Sequence, residues 1–100
     1  MLIKVIATPD YENWFENLRI KEQVQIDARI ARIETYAHFG DAKDLGDGLA
    51  ELPWKNGRRV YFTKVGNVVI LLLYGGMKNA PKKDIKKARL LIQKYAQFED

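Results

Sequence analysis

Two hydrophobic periods alternate along this chain and divide it into elements. Leu2-Ile3-Lys4-Val5-Ile6 is rich in β-favouring residues and stops at Thr8-Pro9. Thr8 suits a helix N-cap, Pro9 the first turn, and the acids Asp10 and Glu12 the positive end of the helix dipole. The pattern predicts a short helix over Pro9–Leu18, with Tyr11, Trp14, Phe15 and Leu18 on one face. A longer helix is expected over Lys21–His38, because Ile26, Ile30, Ile33 and Ala37 follow the helical rhythm, and Gly40 is expected to stop it. The two read as an antiparallel helical hairpin.

Residues 40–48, Gly-Asp-Ala-Lys-Asp-Leu-Gly-Asp-Gly, are dense in glycine and aspartate and read as a loop. Three strands follow. Leu49–Lys55 contains Pro53, which cannot donate to a ladder, so an edge or bulged strand is expected there. Asn56-Gly57 is a strong hairpin-turn signal before Arg58–Lys64. Val68–Tyr74 is apolar on both faces, as expected of a central strand covered on either side, and Gly75-Gly76 is expected to break it. The last element is a helix over Pro81–Gln97 that buries Ile85, Ala88, Ile92 and Tyr95 and leaves Lys82, Lys83, Lys86, Lys87 and Lys94 as a basic face. The order is β-α-α-β-β-β-α, with the helical hairpin and the C-terminal helix packed on an antiparallel-rich sheet. That is an α+β fold.

One hundred residues make one domain's worth of chain, so residues 1–100 are expected to share one fold. With 47% hydrophobic and 11% aromatic residues there is enough apolar surface for a real core, which excludes intrinsic disorder. The longest apolar run, Val68 to Tyr74, is far shorter than the roughly 20 residues a membrane-spanning helix needs. The first residues have no small-residue cleavage site and do not read as a signal peptide. The chain has no cysteine, which removes disulfides, thiolate catalysis and thiolate zinc sites together. A cytoplasmic location and no membrane partner follow as expectations.

Charge changes the picture. Residues 1–50 hold six Lys/Arg and nine Asp/Glu, whereas residues 51–100 hold eleven and four. Between Lys55 and Lys94 the only acid is Asp84. So basic a half points to a polyanionic partner, nucleic acid or an acidic protein surface, with a solvated lysine face as the bland alternative.

Several segments in order resemble a known family. They are Trp14-Phe15, Ala28-Arg29-Ile30-Ala31-Arg32-Ile33, Phe39-Gly40-Asp41-Ala42-Lys43 and Gly46-Asp47-Gly48-Leu49-Ala50-Glu51-Leu52. Arg59-Val60-Tyr61-Phe62, Leu71-Leu72-Leu73, Gly75-Gly76-Met77-Lys78 and Asp84-Ile85-Lys86-Lys87-Ala88 complete the set. The chain resembles the RelE/ParE/HigB-like toxins of type II toxin–antitoxin modules, on the branch of phage-derived addiction module killer proteins. It departs from that branch at Pro53, at the shortened Lys55-Asn56-Gly57 and at Met77.

The resemblance implies a compact toxin neutralised by a cognate antitoxin, expected to be a helix-turn-helix protein. In the RelE and HigB branches it implies a ribosome-dependent endoribonuclease (an mRNA interferase) that cleaves mRNA and inhibits translation. In the ParE branch it implies a DNA gyrase inhibitor without nuclease activity. A decayed toxin surviving as an antitoxin-binding module is the third alternative. Ribosome and mRNA are the expected partners of the first, and no cofactor is expected.

Cleaving RNA without metal uses the 2′-hydroxyl as nucleophile, so the site must supply a proton acceptor, cations on the phosphorane-like transition state and a proton donor to the leaving 5′-oxygen. With one histidine, His38, the cations must do more of this work. Arg59 is the expected phosphate clamp, because a guanidinium fork matches two phosphate oxygens. Alternation puts Arg58 on the opposite sheet face. Lys43 is a candidate base or phosphate contact, or a plain loop lysine. Lys78 follows Gly75-Gly76, where a ligand can approach the backbone. Tyr74 and Tyr61 are candidates to stack on a base or donate a proton, or else sheet-core aromatics. Glu51 is a candidate base or an ion-pair partner for Arg59 or Lys78. Lys55, Arg58, Lys82, Lys83, Lys86 and Lys87 are candidate RNA contacts, with a solvated basic face as the alternative. No His/carboxylate cluster has metal-ligand spacing. The reading requires the cations of the hairpin strands and the terminal helix to converge in one cleft.

Overall fold

A computed structural model describes residues 3–67, 69–79 and 81–96. Its elements are β1 (Lys4–Ala7), α1 (Pro9–Glu16), α2 (Ile20–Tyr36), β2 (Lys43–Gly46), β3 (Leu49–Pro53), β4 (Arg58–Val65), β5 (Val69–Met77) and α3 (Pro81–Tyr95). The strands form one sheet in the order β1-β5-β4-β3-β2. β1 runs parallel to β5 and every other pairing is antiparallel. The expected α+β class and helix-on-sheet arrangement are present. Leu2, Val68 and Gln97, which end three of the expected elements, lie outside the described residues.

Helices cover both sheet faces, and the alternation of β4 and β5 assigns each side chain to one of them. Val60, Phe62, Ile70 and Leu72 join Tyr11, Ile26, Ile30 and Ile33 beneath α1 and α2. Tyr61, Leu71 and Leu73 join Leu49, Ala88 and Leu91 beneath α3. A strand buried on both faces has no polar side to show, hence the unbroken apolar run.

The helix starts follow the local chemistry. The Thr8 hydroxyl accepts the Tyr11 N–H at 3.0 Å and donates to the Leu73 carbonyl at 2.7 Å. Leu73 is the extra residue of a bulge, since Tyr61 pairs with Tyr74 and Phe62 with Leu72. One cap thus ties α1 to the irregular point of β5. α2 ends earlier than Gly40, because Ala37 adopts the left-handed conformation (φ +54) and its N–H caps the Ile33 carbonyl.

Three strand expectations need correction. The loop at 40–48 contains β2, whose Lys43, Asp44 and Gly46 pair with Glu51, Ala50 and Leu49. As an edge strand β2 buries almost nothing, so it carries no period-two signal; the Asp47-Gly48 turn, both residues at positive φ, was the mark to read. Pro53 does not make β3 an edge, because β2 flanks it. The Trp54 N–H bonds Arg58 across the β3–β4 pair, so Pro53 points its missing donor the other way, beyond the end of β2. Arg29 takes its carbonyl. Finally, β5 runs through Gly75-Gly76 to Met77. Contact demands Gly75, where an added Cβ would lie 2.3 Å from the Trp14 ring; at Gly76 it would lie 2.0 Å from the end of the Asp84 side chain, which must move to admit it.

Candidate active site

Cross-strand partners share a sheet face. The registers therefore build a row across four strands, Lys43 opposite Glu51, Glu51 opposite Tyr61, and Tyr61 opposite Tyr74. The neighbouring row sets Pro53 opposite Arg59 and Arg59 opposite Gly76. In the first row Tyr61 lies in the core beneath α3, with Tyr74 packed against it. Four residues of separate interest in the sequence thus become neighbours through pairing alone.

Arg59 Nη1 donates to Glu51 Oε2 at 2.8 Å. Glu51 is 1% exposed and Arg59 26%, so the carboxylate is the buried anchor and the guanidinium the part that reaches out. Pairing leaves functional capacity unused: Glu51 Oε1, Arg59 Nε and the Tyr61 hydroxyl are buried without a partner. Buried polar groups in this state carry a desolvation cost and are uncommon. The Tyr61 hydroxyl is pushed up to about 12 by burial and by the negative charges of Glu51 and Asp84, with Arg59 opposing. It remains a protonated donor near neutral pH.

Asp84 is the residue that the strand-centred reading missed. Its carboxylate stands on Gly76, the strand partner of Arg59, from the first turn of α3. Burial raises its pKa against the pull of Lys83 and Lys87. A signal was present, because Asp84 is the lone acid of a long basic stretch.

α3 is fixed across the row at several points. Lys87 Nζ lies 4.6 Å from the Tyr74 ring centre and 3.6 Å from Asp10 Oδ2. Arg89 donates to the carbonyls of Leu45 and Gly46 at 3.0 and 3.1 Å, fastening the helix to β2.

The remaining candidates divide. Lys82, Lys83, Lys86 and Lys87 are all exposed on α3, and Lys87 also reaches Tyr74 and Asp10. Lys78 lies along Gly57 and its N–H donates to the Gly57 carbonyl at 2.8 Å, close to exposed Lys55 in the β3–β4 turn. Arg58 departs from its expected RNA-contact role. It is 1% exposed on the opposite face, and its Nη2 donates to Glu22 Oε2 of α2 at 2.6 Å. That bond, with a second from the Arg19 N–H, holds the Glu22 carboxyl below its ordinary range. The expected single cleft also needs correction. Lys55 lines one cavity, Lys43 another, and Glu51 and Tyr61 lie under α3. Among the described residues, no group of three His, Cys, Asp or Glu is disposed to hold a metal ion.

Removing only the Tyr61 hydroxyl separates stability from activity. Tyr61→Phe should raise stability by about 1 kcal/mol, because it deletes a buried donor that has no partner. The same change should weaken binding of any ligand that the hydroxyl meets. Denaturant unfolding beside a ligand-binding titration checks both signs.

No family model matches the chain. An uncharacterized protein of Haemophilus influenzae is 38% identical over 96 residues, covering 93% of this chain and 96% of that protein. Among solved structures, the free E. coli toxin RelE carrying two arginine-to-alanine substitutions superposes with a TM-score of 0.75 at 14% identity, over 92% of this chain and 99% of that one. The E. coli RelBE toxin–antitoxin complex gives 0.65 at 12% identity, over 75% and 95%. A RelBE toxin–antitoxin complex of Mycobacterium tuberculosis gives 0.53 at 12% identity, over 77% and 92%.

Proposed function

We propose that this chain, which belongs to one family with the Haemophilus influenzae protein and has the RelE fold, is the toxin of a type II toxin–antitoxin module and acts as a ribosome-dependent mRNA endoribonuclease. The observation that carries the reading is Arg59, held by a buried Glu51 beside the partnerless hydroxyl of Tyr61. Unpartnered buried polar atoms grouped beside an arginine that reaches outward support a ligand-binding role for Arg59.

In this reading Arg59 grips the scissile phosphate with the donors Glu51 leaves open and stabilises the charge of the phosphorane-like transition state. Tyr61 donates a hydrogen bond to a non-bridging oxygen. Asp84, whose pKa burial raises, accepts the 2′-hydroxyl proton as the O2′–P bond forms, and water protonates the 5′-oxygen as the P–O5′ bond breaks, leaving a 2′,3′-cyclic phosphate. Because Lys43 and Lys55 line separate cavities, the grip on the scissile phosphate falls to Arg59, and the exposed Lys82, Lys83 and Lys86 of α3 hold flanking phosphates. A cognate antitoxin presenting acidic and apolar segments covers this surface and silences it.

Incubating the pure protein with mRNA-programmed ribosomes should cut the message in the A site, and intact message would sink the nuclease. A short induction pulse tests the gyrase alternative, which requires continued protein synthesis with DNA breaks. Normal growth after induction would mark a decayed toxin.

A further inference from the structure

The molecule has a second cationic depression, on the α2 side of the sheet and away from the Arg59 row. It encloses about 440 Å³ between the second half of α2, residues 38–41 and the end of β3. Arg29, Arg32, His38 and Lys55 line it together with Trp54, and Asp41 is the one acid on its wall. Its size falls within the range of small-ligand pockets, roughly 300–1,000 Å³.

Arg29 organises the site. Two of its N–H groups are spent on the carbonyls of Pro53 and Phe39, which hold the guanidinium 4.5 Å from the centre of the Trp54 ring. A guanidinium has five N–H donors, so others remain for a ligand. Burial depresses the Arg29 pKa and the neighbouring charge of Arg32 adds to the effect, while Asp41 works the other way. Two like charges kept close, with a single acid nearby, leave a site that an anion relieves.

We infer that this depression binds a nucleotide, its phosphate among Arg29, Arg32 and Lys55 and its base against the Trp54–Arg29 stack. Bases pair with both aromatic faces and guanidinium planes, and an indole in the wall gives such a base something a plain anion cannot use. Lys55 lies in the β3–β4 turn, whose Gly57 carries Lys78, so in the nuclease reading one RNA strand passes from the depression around this turn to Arg59. That continuity rests on the nuclease reading above, whereas nucleotide binding in the depression does not.

The test uses adenosine 5′-monophosphate as the probe, with inorganic phosphate and a polyglutamate peptide in parallel, followed by amide and indole NMR shifts of the whole chain. The nucleotide should bind about tenfold more tightly than phosphate, because stacking adds to charge attraction. Its shifts should centre on Arg29, Arg32, His38, Trp54 and Lys55. Reversing two exposed charges, Arg32→Glu with Lys55→Glu, should weaken the nucleotide about tenfold or more, while Arg59→Ala with Glu51→Gln should leave its affinity unchanged. Equal affinity for phosphate and nucleotide would reduce the site to a charge patch and overturn the inference. Tighter binding of the peptide would overturn it in favour of a protein partner, and shifts centred on the Arg59 row would show that the wrong site had been assigned. None of these readouts needs message cleavage, so loss of the nuclease reading and loss of this one are separable.

Discussion

Arg59→Ala should abolish growth arrest on induction while antitoxin binding persists. Removing one donor to a developing oxyanion costs about a hundredfold to a thousandfold in rate, and here the clamp itself goes. The substitution also strands Glu51, which is 1% exposed and has Arg59 as its partner. A buried carboxylate without its cation is strongly destabilising, by about 3–5 kcal/mol in comparable pairs. The decisive chain is therefore Arg59→Ala with Glu51→Gln, which removes both charges. It should fold, bind antitoxin and stay inactive. Arg59→Lys should recover little, because an ammonium cannot present two donors in the plane of a phosphate. Growth curves, thermal melts and antitoxin pull-down read the three properties separately, and a toxic double variant would remove Arg59 from the site.

Gly75→Ala should be the most damaging single methyl in the molecule. The added carbon would sit 2.3–2.4 Å from three atoms of the Trp14 ring. Trp14 packs against the core under α1, with its ring 5.6 Å from Tyr11, so it cannot swing clear without disturbing both. Overpacking of this kind costs about 3 kcal/mol, or a Tm drop of about 12–24 °C for a domain near this size. Trp14→Leu in the same chain should recover part of the loss. Gly76→Ala meets the end of the Asp84 side chain instead, which can rotate away. Its stability cost should be smaller and its cost to toxicity larger, since Asp84 would leave the row. Calorimetric melts of both variants check the order, and an unaffected Gly75→Ala melt would refute the packing argument.

Elements with a strong local cause were readable from residues alone. The Thr8-Pro9 start, the Ile26/Ile30/Ile33 stripe and the Asn56-Gly57 turn each depend on neighbours within a few positions, and each is where the pattern put it. Opposite facing of Arg58 and Arg59 also followed, because strand alternation is a local rule. Their burial did not. Arg58 is withdrawn by Glu22, thirty-six residues earlier, and no window of sequence contains both. Gly75-Gly76 misled for a related reason. Glycine breaks strands when nothing presses on it, but here Trp14 and Asp84 occupy the space that a side chain would need.

Composition and periodicity were thus sufficient for the α+β class, the helical hairpin and the basic second half, since each reflects interactions short in sequence or summed over the whole chain. The pairing of Glu51 with Arg59, the stranded hydroxyl of Tyr61, the placement of Asp84 over Gly76 and the division of the lysines between two faces emerged from the folded molecule. These depend on strand register and on where α3 lands. Both are settled by contacts between residues far apart in the chain, whose energies no local pattern records.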